Sequence, residues 1–163
     1  MMEAIQESIA EYRIQMKRGI IPKAYKVIMD YVMQLKIYFQ NKYAQYPVGN
    51  LYYGYMDMTY FPIFSNILKK NKLKIAIVFM HATCRFEAWL SGNNREIQKK
   101  YSNIVKEANW TKYRMDPNNP DSIIETTLVE NPDFSDKEKL TKLIETSVLI
   151  FIRDIEGFLT KRK

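Results

Sequence analysis

The chain is poor in the residues that hold metals and build nucleophiles. One cysteine, Cys84, and one histidine, His81, stand among 163 residues. A lone cysteine makes no intramolecular disulfide, and with one histidine it cannot close a structural zinc site, so no metal framework and no cofactor are expected. The five glycines are scattered at 19, 49, 54, 92 and 157. That leaves neither a glycine-rich phosphate loop nor a serine-nucleophile elbow. No apolar run approaches the roughly 18 residues of a membrane span. Residues 1–16 alternate charge with apolar side chains and lack the apolar core of a signal peptide, so a cytoplasmic protein without membrane partners is expected. Asn109-Trp110-Thr111 fits the glycosylation pattern, but without a secretory signal it should carry no sugar.

What is present is an ordinary globular composition, 47% hydrophobic and 26% charged, with a generous 13% aromatic. A chain of this length is about one domain and buries roughly 70% of the surface its unfolded form exposes, enough for a core without staples. The net charge of +7 is unevenly placed: residues 1–110 carry sixteen Lys and Arg against eight Asp and Glu, whereas residues 111–163 carry nine against ten. The densest basic stretch, Lys69-Lys70-Asn71-Lys72-Leu73-Lys74, reads as a solvated loop. Together with Lys17, Arg18, Lys23 and Lys26 it could also meet nucleic-acid phosphates, a weaker reading without a recognisable nucleic-acid module.

Periodicity organises the rest. Ile5, Ile9, Tyr12 and Met16 recur at helical steps within a helix over 3–17, and Gly19 stops it. Pro22 suits the first turn of a second helix reaching about Tyr43, with Tyr25, Ile28, Val32, Leu35 and Phe39 as its buried stripe. Together they form a helical hairpin. Residues 51–61 alternate with period two between two apolar or aromatic faces, which predicts a strand with Asp57 inside it. Residues 73–80 and 85–90 read as a β-hairpin, and 95–108 as a helix. Ser122 to Val129 has the β-branched content of a strand, although Ser122 with Glu125 also fits a capping box. A long last helix follows a capping box at Ser135 to Glu138. Its apolar face could cover a sheet or pair with its copy in a homodimer. The fold class is therefore α+β in a single domain spanning 1–163: a helical hairpin, a small, largely antiparallel sheet of about four strands, and a long C-terminal helix on the sheet.

Four words taken together, Tyr-Tyr-Gly-Tyr-Met-Asp-Met-Thr-Tyr-Phe (52–61), Leu-Lys-Ile-Ala-Ile-Val-Phe (73–79), Arg-Phe-Glu-Ala-Trp-Leu (85–90) and Asp-Ser-Ile-Ile-Glu (121–125), resemble an uncharacterised family of short bacterial proteins. The resemblance covers nearly the whole chain. It implies a small cytoplasmic bacterial protein with a self-contained domain of unknown function, and brings no reaction, ligand or catalytic residue. The order of helix, three strands, helix and strand also resembles the core of restriction-endonuclease-type nucleases, where an aspartate and a Glu-x-Lys unit hold a divalent metal. Asp57 and Glu87 would take the carboxylate roles, but Trp89 stands where the lysine belongs.

Candidate site residues follow from chemistry. A carboxylate inside an apolar strand must reach a cleft, a cation or hydrogen-bond donors. Asp57 with Glu87 is thus either a ligand or metal site or a structural network completed by Arg85 or a tyrosine hydroxyl. The aromatics Tyr52, Tyr53, Tyr55, Tyr60, Phe61, Phe86 and Trp89 either stack a planar ligand or nucleobase, or fill the core. His81 and Cys84 flank a turn and could form a nucleophile and base, a weak signal without a third orienting group. The expected function is a small-molecule or partner-binding module whose pocket lies near Tyr53, Tyr55, Asp57, Glu87 and Trp89, with the acids selecting a cationic or hydrogen-bond-donating group. The alternative is a divalent-metal-dependent nuclease-like or hydrolytic enzyme, intact or inactive, using Asp57 and Glu87.

Overall fold

A computed structural model describes residues 2–162, with side chains from Ala4 to Arg162. Helix α1, Met2–Arg18, and helix α2, Ile20–Lys42, are separated by Gly19 alone. Gly19 holds φ at 74°, a left-handed conformation that costs a residue without a Cβ almost nothing. Pro22 lies in the first turn of α2 as expected. The inward stripe of α2 is Tyr31, Val32, Leu35 and Phe39, while Tyr25 and Ile28 are only half-buried.

The strand expected over 51–61 is in fact two antiparallel segments and a turn. Strand β1 is Met58–Ile63, and residues 47–52 run back along it through Gly49 N–H to Pro62 O (2.8 Å) and mutual Tyr52–Tyr60 hydrogen bonds. Asp57 therefore precedes the strand instead of lying within it. The reversal is made by Gly54 and Met56, both at positive φ, and is tied by the Asp57 carboxylate, which accepts the Tyr55 N–H at 2.8 Å. Asp commonly stabilises turns in this way. Period-two alternation could not reveal it, because both arms of the hairpin are aromatic.

After β1, Ser65 caps a five-residue helix α3, Asn66–Lys70, by accepting the Leu68 N–H. The lysine stretch read as a loop is thus distributed: Lys69 and Lys70 end α3, Lys72 makes the turn, and Lys74 lies in the next strand. Strands β2, Leu73–Met80, and β3, Arg85–Gly92, form the expected hairpin. Helix α4, Arg95–Glu107, is capped by Asn94. Residues Ile124–Val129 form strand β4, so the strand reading of 122–129 holds over its capping-box alternative. Helix α5, Lys137–Thr160, starts one residue later than the capping box suggests, since Asp136 caps it and the Ser135 hydroxyl donates to Asp133 instead.

The sheet is an antiparallel meander in the order β1-β2-β3-β4. One face carries Phe61, Ile63, Ile75, Ile77, Phe79, Phe86, Ala88, Leu90 and Ile124. Against it pack α2, α5 through Leu140, Ile144, Val148, Phe151, Ile152 and Ile155, and α4 through Tyr101 and Val105. Each fully buried Phe contributes about 2–3 kcal/mol. The apolar face of α5 is thus used on the sheet. The opposite face of the sheet holds a smaller cluster of Ala76, Val78 and Trp89 with Met58, Tyr60 and Met80, drawn from strands alone. Among the described residues no helix is long and apolar enough to cross a membrane.

Candidate functional site

Strand parity and register place one set of side chains on the face without helices: Met58 and Tyr60 from β1, Lys74, Ala76, Val78 and Met80 from β2, Arg85, Glu87, Trp89 and Ser91 from β3, Glu125 and Thr127 from β4. Trp89 is central. It stands opposite Ala76 on one side and Glu125 on the other, and the small Ala76 leaves room beside the indole. Its Nε1 donates to Glu87 Oε2 at 2.7 Å, and Arg85 Nε donates to Glu87 Oε1 at 2.6 Å. Both oxygens of the buried Glu87 are therefore engaged by protein donors. Arg85 also reaches Glu130 at 3.6 Å.

Beside Trp89 the face opens into a groove of about 410 Å³. Its floor is Ala76 and Trp89, the latter only 5% exposed. One wall is Met58, Tyr60 and Tyr52, the two tyrosine rings lying 5.1 Å apart. The far end is the start of α4, with Asn94, Arg95 and Gln98, and the other wall is Pro120 and Asp121. The rim is fixed by hydrogen bonds: Gly92 N–H to Gln98 Oε1 (2.7 Å), Gln98 Nε2 to Pro120 O (3.2 Å), and Ser91 Oγ to Asp121 O (2.6 Å). Lys74 Nζ sits 5.9 Å from the Tyr60 ring centre. Among the described residues neither Lys74 nor Arg95 forms an ion pair, so the groove has two uncommitted cations.

On the other side of Trp89 lies a smaller polar pocket of about 220 Å³, lined by Arg85, Glu87, Lys112, Arg114, Glu125 and Thr127 among others. Glu125 is 7% exposed, accepts from Asn119 Nδ2 at 2.8 Å, and has Arg114 Nε at 3.8 Å. Burial pushes its carboxyl above the ordinary range, and the neighbouring Glu87 adds to the rise.

The five residues singled out from the sequence do not converge. Trp89 lines the groove and Glu87 backs it. Tyr53, Tyr55 and Asp57 belong to the 53–57 turn, where Tyr55 is 90% exposed and the Asp57 carboxyl is held below its ordinary range by the Tyr55 and Met58 backbone N–H groups. Asp57 lies three residues before Tyr60, and Glu87 is two strands away from that tyrosine through Val78. Ordinary sheet dimensions put about 10 Å along and about 10 Å across between them, roughly 14 Å in all. The carboxylate pairing that the nuclease resemblance requires is not made. Neither acid has a free oxygen pair directed at a shared ligand, so a cation selected by both has no geometric basis. The Cys84 thiol meets the His81 carbonyl (3.4 Å), not its ring. That ring packs on Tyr25 with its Nε2 2.9 Å from the Thr59 hydroxyl, and burial lowers its pKa.

Sequence reasoning did not single out Lys74, Arg95, Glu125 or Glu145 as site residues. Glu145 of α5 is buried and accepts from Lys42 (2.5 Å), Tyr38 (2.9 Å), Tyr43 and Lys142. Burial pushes its carboxyl up, but hydrogen bonds from Lys42, Tyr43 and Tyr38 more than offset this and hold it down at about 2. An acid on the otherwise apolar inward stripe of α5 was the available signal.

A family model described as a domain of unknown function, DUF7000, matches residues 5–159, and the chain belongs to that family. No curated protein and no solved structure matches the chain.

Proposed function

We propose that this family member binds a planar, negatively charged small molecule, such as a heterocycle bearing a phosphate or carboxylate, in the groove on the helix-free face of its sheet. The observation that carries the reading is the meeting of groove-lining aromatics with cations that have no carboxylate partner: the exposed Tyr52 and half-buried Tyr60 wall the groove over a largely buried Trp89 floor, while Lys74 and Arg95 lie there without ion pairs. Aromatic walls give a planar ligand contact area and orientation, and a few convergent polar groups give selectivity. Asp121 on the opposite wall can accept from a ring N–H. In this reading Glu87 does not touch the ligand; it positions Trp89 through the indole N–H.

The test compares a nucleoside monophosphate with its nucleoside by thermal denaturation. A ligand at 100 times its dissociation constant stabilises by about 2.7 kcal/mol, which for a chain of this size is roughly 5–10 °C in Tm. The expected result is a shift with the monophosphate, a smaller one with the nucleoside, and loss of the difference in Lys74→Ala and Arg95→Ala. A monophosphate-over-nucleoside difference that survives both substitutions would move the site elsewhere.

A further inference from the structure

Helix α4 carries its positive charge along one exposed line. Ile97, Tyr101, Ile104 and Val105 turn to the core. Arg95, Lys99 and Lys106, separated by four and seven residues, fall within about 40° of one another on the far, exposed side of the helix. Its acids, Glu96 and Glu107, project about 80–100° from the middle of that line. Among the described residues none of the three cations forms an ion pair.

The line follows a cleft. Beyond the Gln98–Pro120 hydrogen bond at the end of the groove, a second pocket of about 360 Å³ continues between α4 and residues 115–123. Ser102 and Lys106 line it from the helix, Met115 and Pro117 from the loop. Gln98 and Pro120 line both spaces, so groove and pocket are adjoining parts of one cleft. The Asp116 carboxylate in the second pocket is already held by Arg114 (2.6 Å) and by the Asn118 N–H (2.9 Å). From Arg95 to Lys106 the helix rises about 16 Å, too far for one anionic group to serve both cations. A chain of phosphates can. Resting on the groove reading above, we infer that the occupant of the groove is one nucleotide of a single-stranded nucleic acid. Its base lodges against Tyr60 and Trp89, and the backbone runs along α4 past Lys99 to Lys106. Aromatic platforms beside a basic track are how single strands are held without sequence preference. The Trp89 floor, 5% exposed, is recessed beyond the reach of a paired base, which excludes a duplex. A membrane surface fits poorly, because none of the exposed large apolar side chains lies between residues 57 and 142.

Fluorescence anisotropy on the full chain with a labelled single-stranded DNA octamer of mixed sequence tests it. The octamer should bind roughly tenfold or more tightly than the nucleoside monophosphate, and more tightly than its own duplex. Tyr60→Ala should weaken it. Replacing Lys99 and Lys106 together by alanine should remove most of that advantage and flatten the salt dependence by about 1.4 in log–log slope, two phosphate contacts at about 0.7 each. Monophosphate binding should persist in that variant, with a melting temperature no lower, because both lysines lie beyond the groove. An octamer no tighter than the monophosphate would overturn the inference and leave the groove reading standing. Octamer binding indifferent to the paired lysine substitution or to Tyr60→Ala, or matched by the duplex, would also overturn it. If neither ligand binds, both readings fall.

Discussion

Replacing Glu87 separates two roles that a buried carboxylate can have on this face. In the structure both oxygens are satisfied, by Arg85 and by the Trp89 indole, so Glu87 is a positioning residue. Removing one partner of a buried pair costs about 3–5 kcal/mol when the other charge is stranded. Arg85 is a quarter exposed and keeps Glu130 within reach, so water recovers part of that loss. Glu87→Ala should then cost about 2–3 kcal/mol, Tm falling by roughly 5–10 °C. Glu87→Gln keeps one acceptor, for the indole, but turns a donor amide toward Arg85, whose hydrogen bond is lost and recovered in part by water, at a cost of about 1–2 kcal/mol. Urea unfolding at neutral pH measures both. The Gln variant should keep the wild-type affinity for the monophosphate, and the Ala variant should lose affinity as Trp89 loses its anchor. A carboxylate held unpaired for ligand or metal would behave oppositely, since removing a strained functional charge commonly raises stability. Unchanged or increased stability in Glu87→Ala would refute the reasoning.

Three further outcomes follow from named geometry. Glu145 titrates at about 2 when folded against about 4.5 when unfolded, so its stabilisation is complete above pH 4.5 and is lost as pH falls toward 2. Its ceiling of about 3 kcal/mol is discounted to about 1–2 because Lys42 and Lys142 face water. Urea unfolding should accordingly show the gap between wild type and Glu145→Gln narrowing below pH 4.5 and closing toward pH 2. Gly19 and Gly54 share φ of 74°, but a Cβ at Gly19 meets open space and one at Gly54 would come 2.0 Å from the Met58 carbonyl oxygen. Gly19→Ala should cost about 1 kcal/mol and Gly54→Ala more than twice that in the same unfolding assay. Tyr60→Ala should weaken monophosphate binding by roughly 1–3 kcal/mol, the usual worth of an aromatic stack on a base, with Tyr53→Ala leaving calorimetric affinity unchanged.

Where local pattern and tertiary packing agree, the elements were legible. Helices α4 and α5 have clear caps and stripes, and β2 and β3 combine β-branched content with a turn too short for anything but a hairpin. Residues 51–61 failed for a definite reason: Gly54, Met56 and Asp57 carry a reversal, and alternation cannot distinguish one long strand from two arms of a hairpin when both arms are aromatic. The same error placed Asp57, Tyr53 and Tyr55 beside Glu87. The pair Glu87 and Trp89 was legible because residues two apart share a strand face. Lys74 and Arg95 were not, because their convergence depends on how α4 leaves the end of β3, a feature of packing with no local signature.

The most direct measurement of the central claim uses Trp89 as its own reporter. In Trp110→Phe the only indole is the floor of the groove, so a nucleoside monophosphate lodged above it should change the emission saturably, and Lys74→Ala in that background should shift the titration to higher concentration. A titration that leaves Trp89 emission flat while the ligand still stabilises the protein would contradict the account, and place binding away from this face.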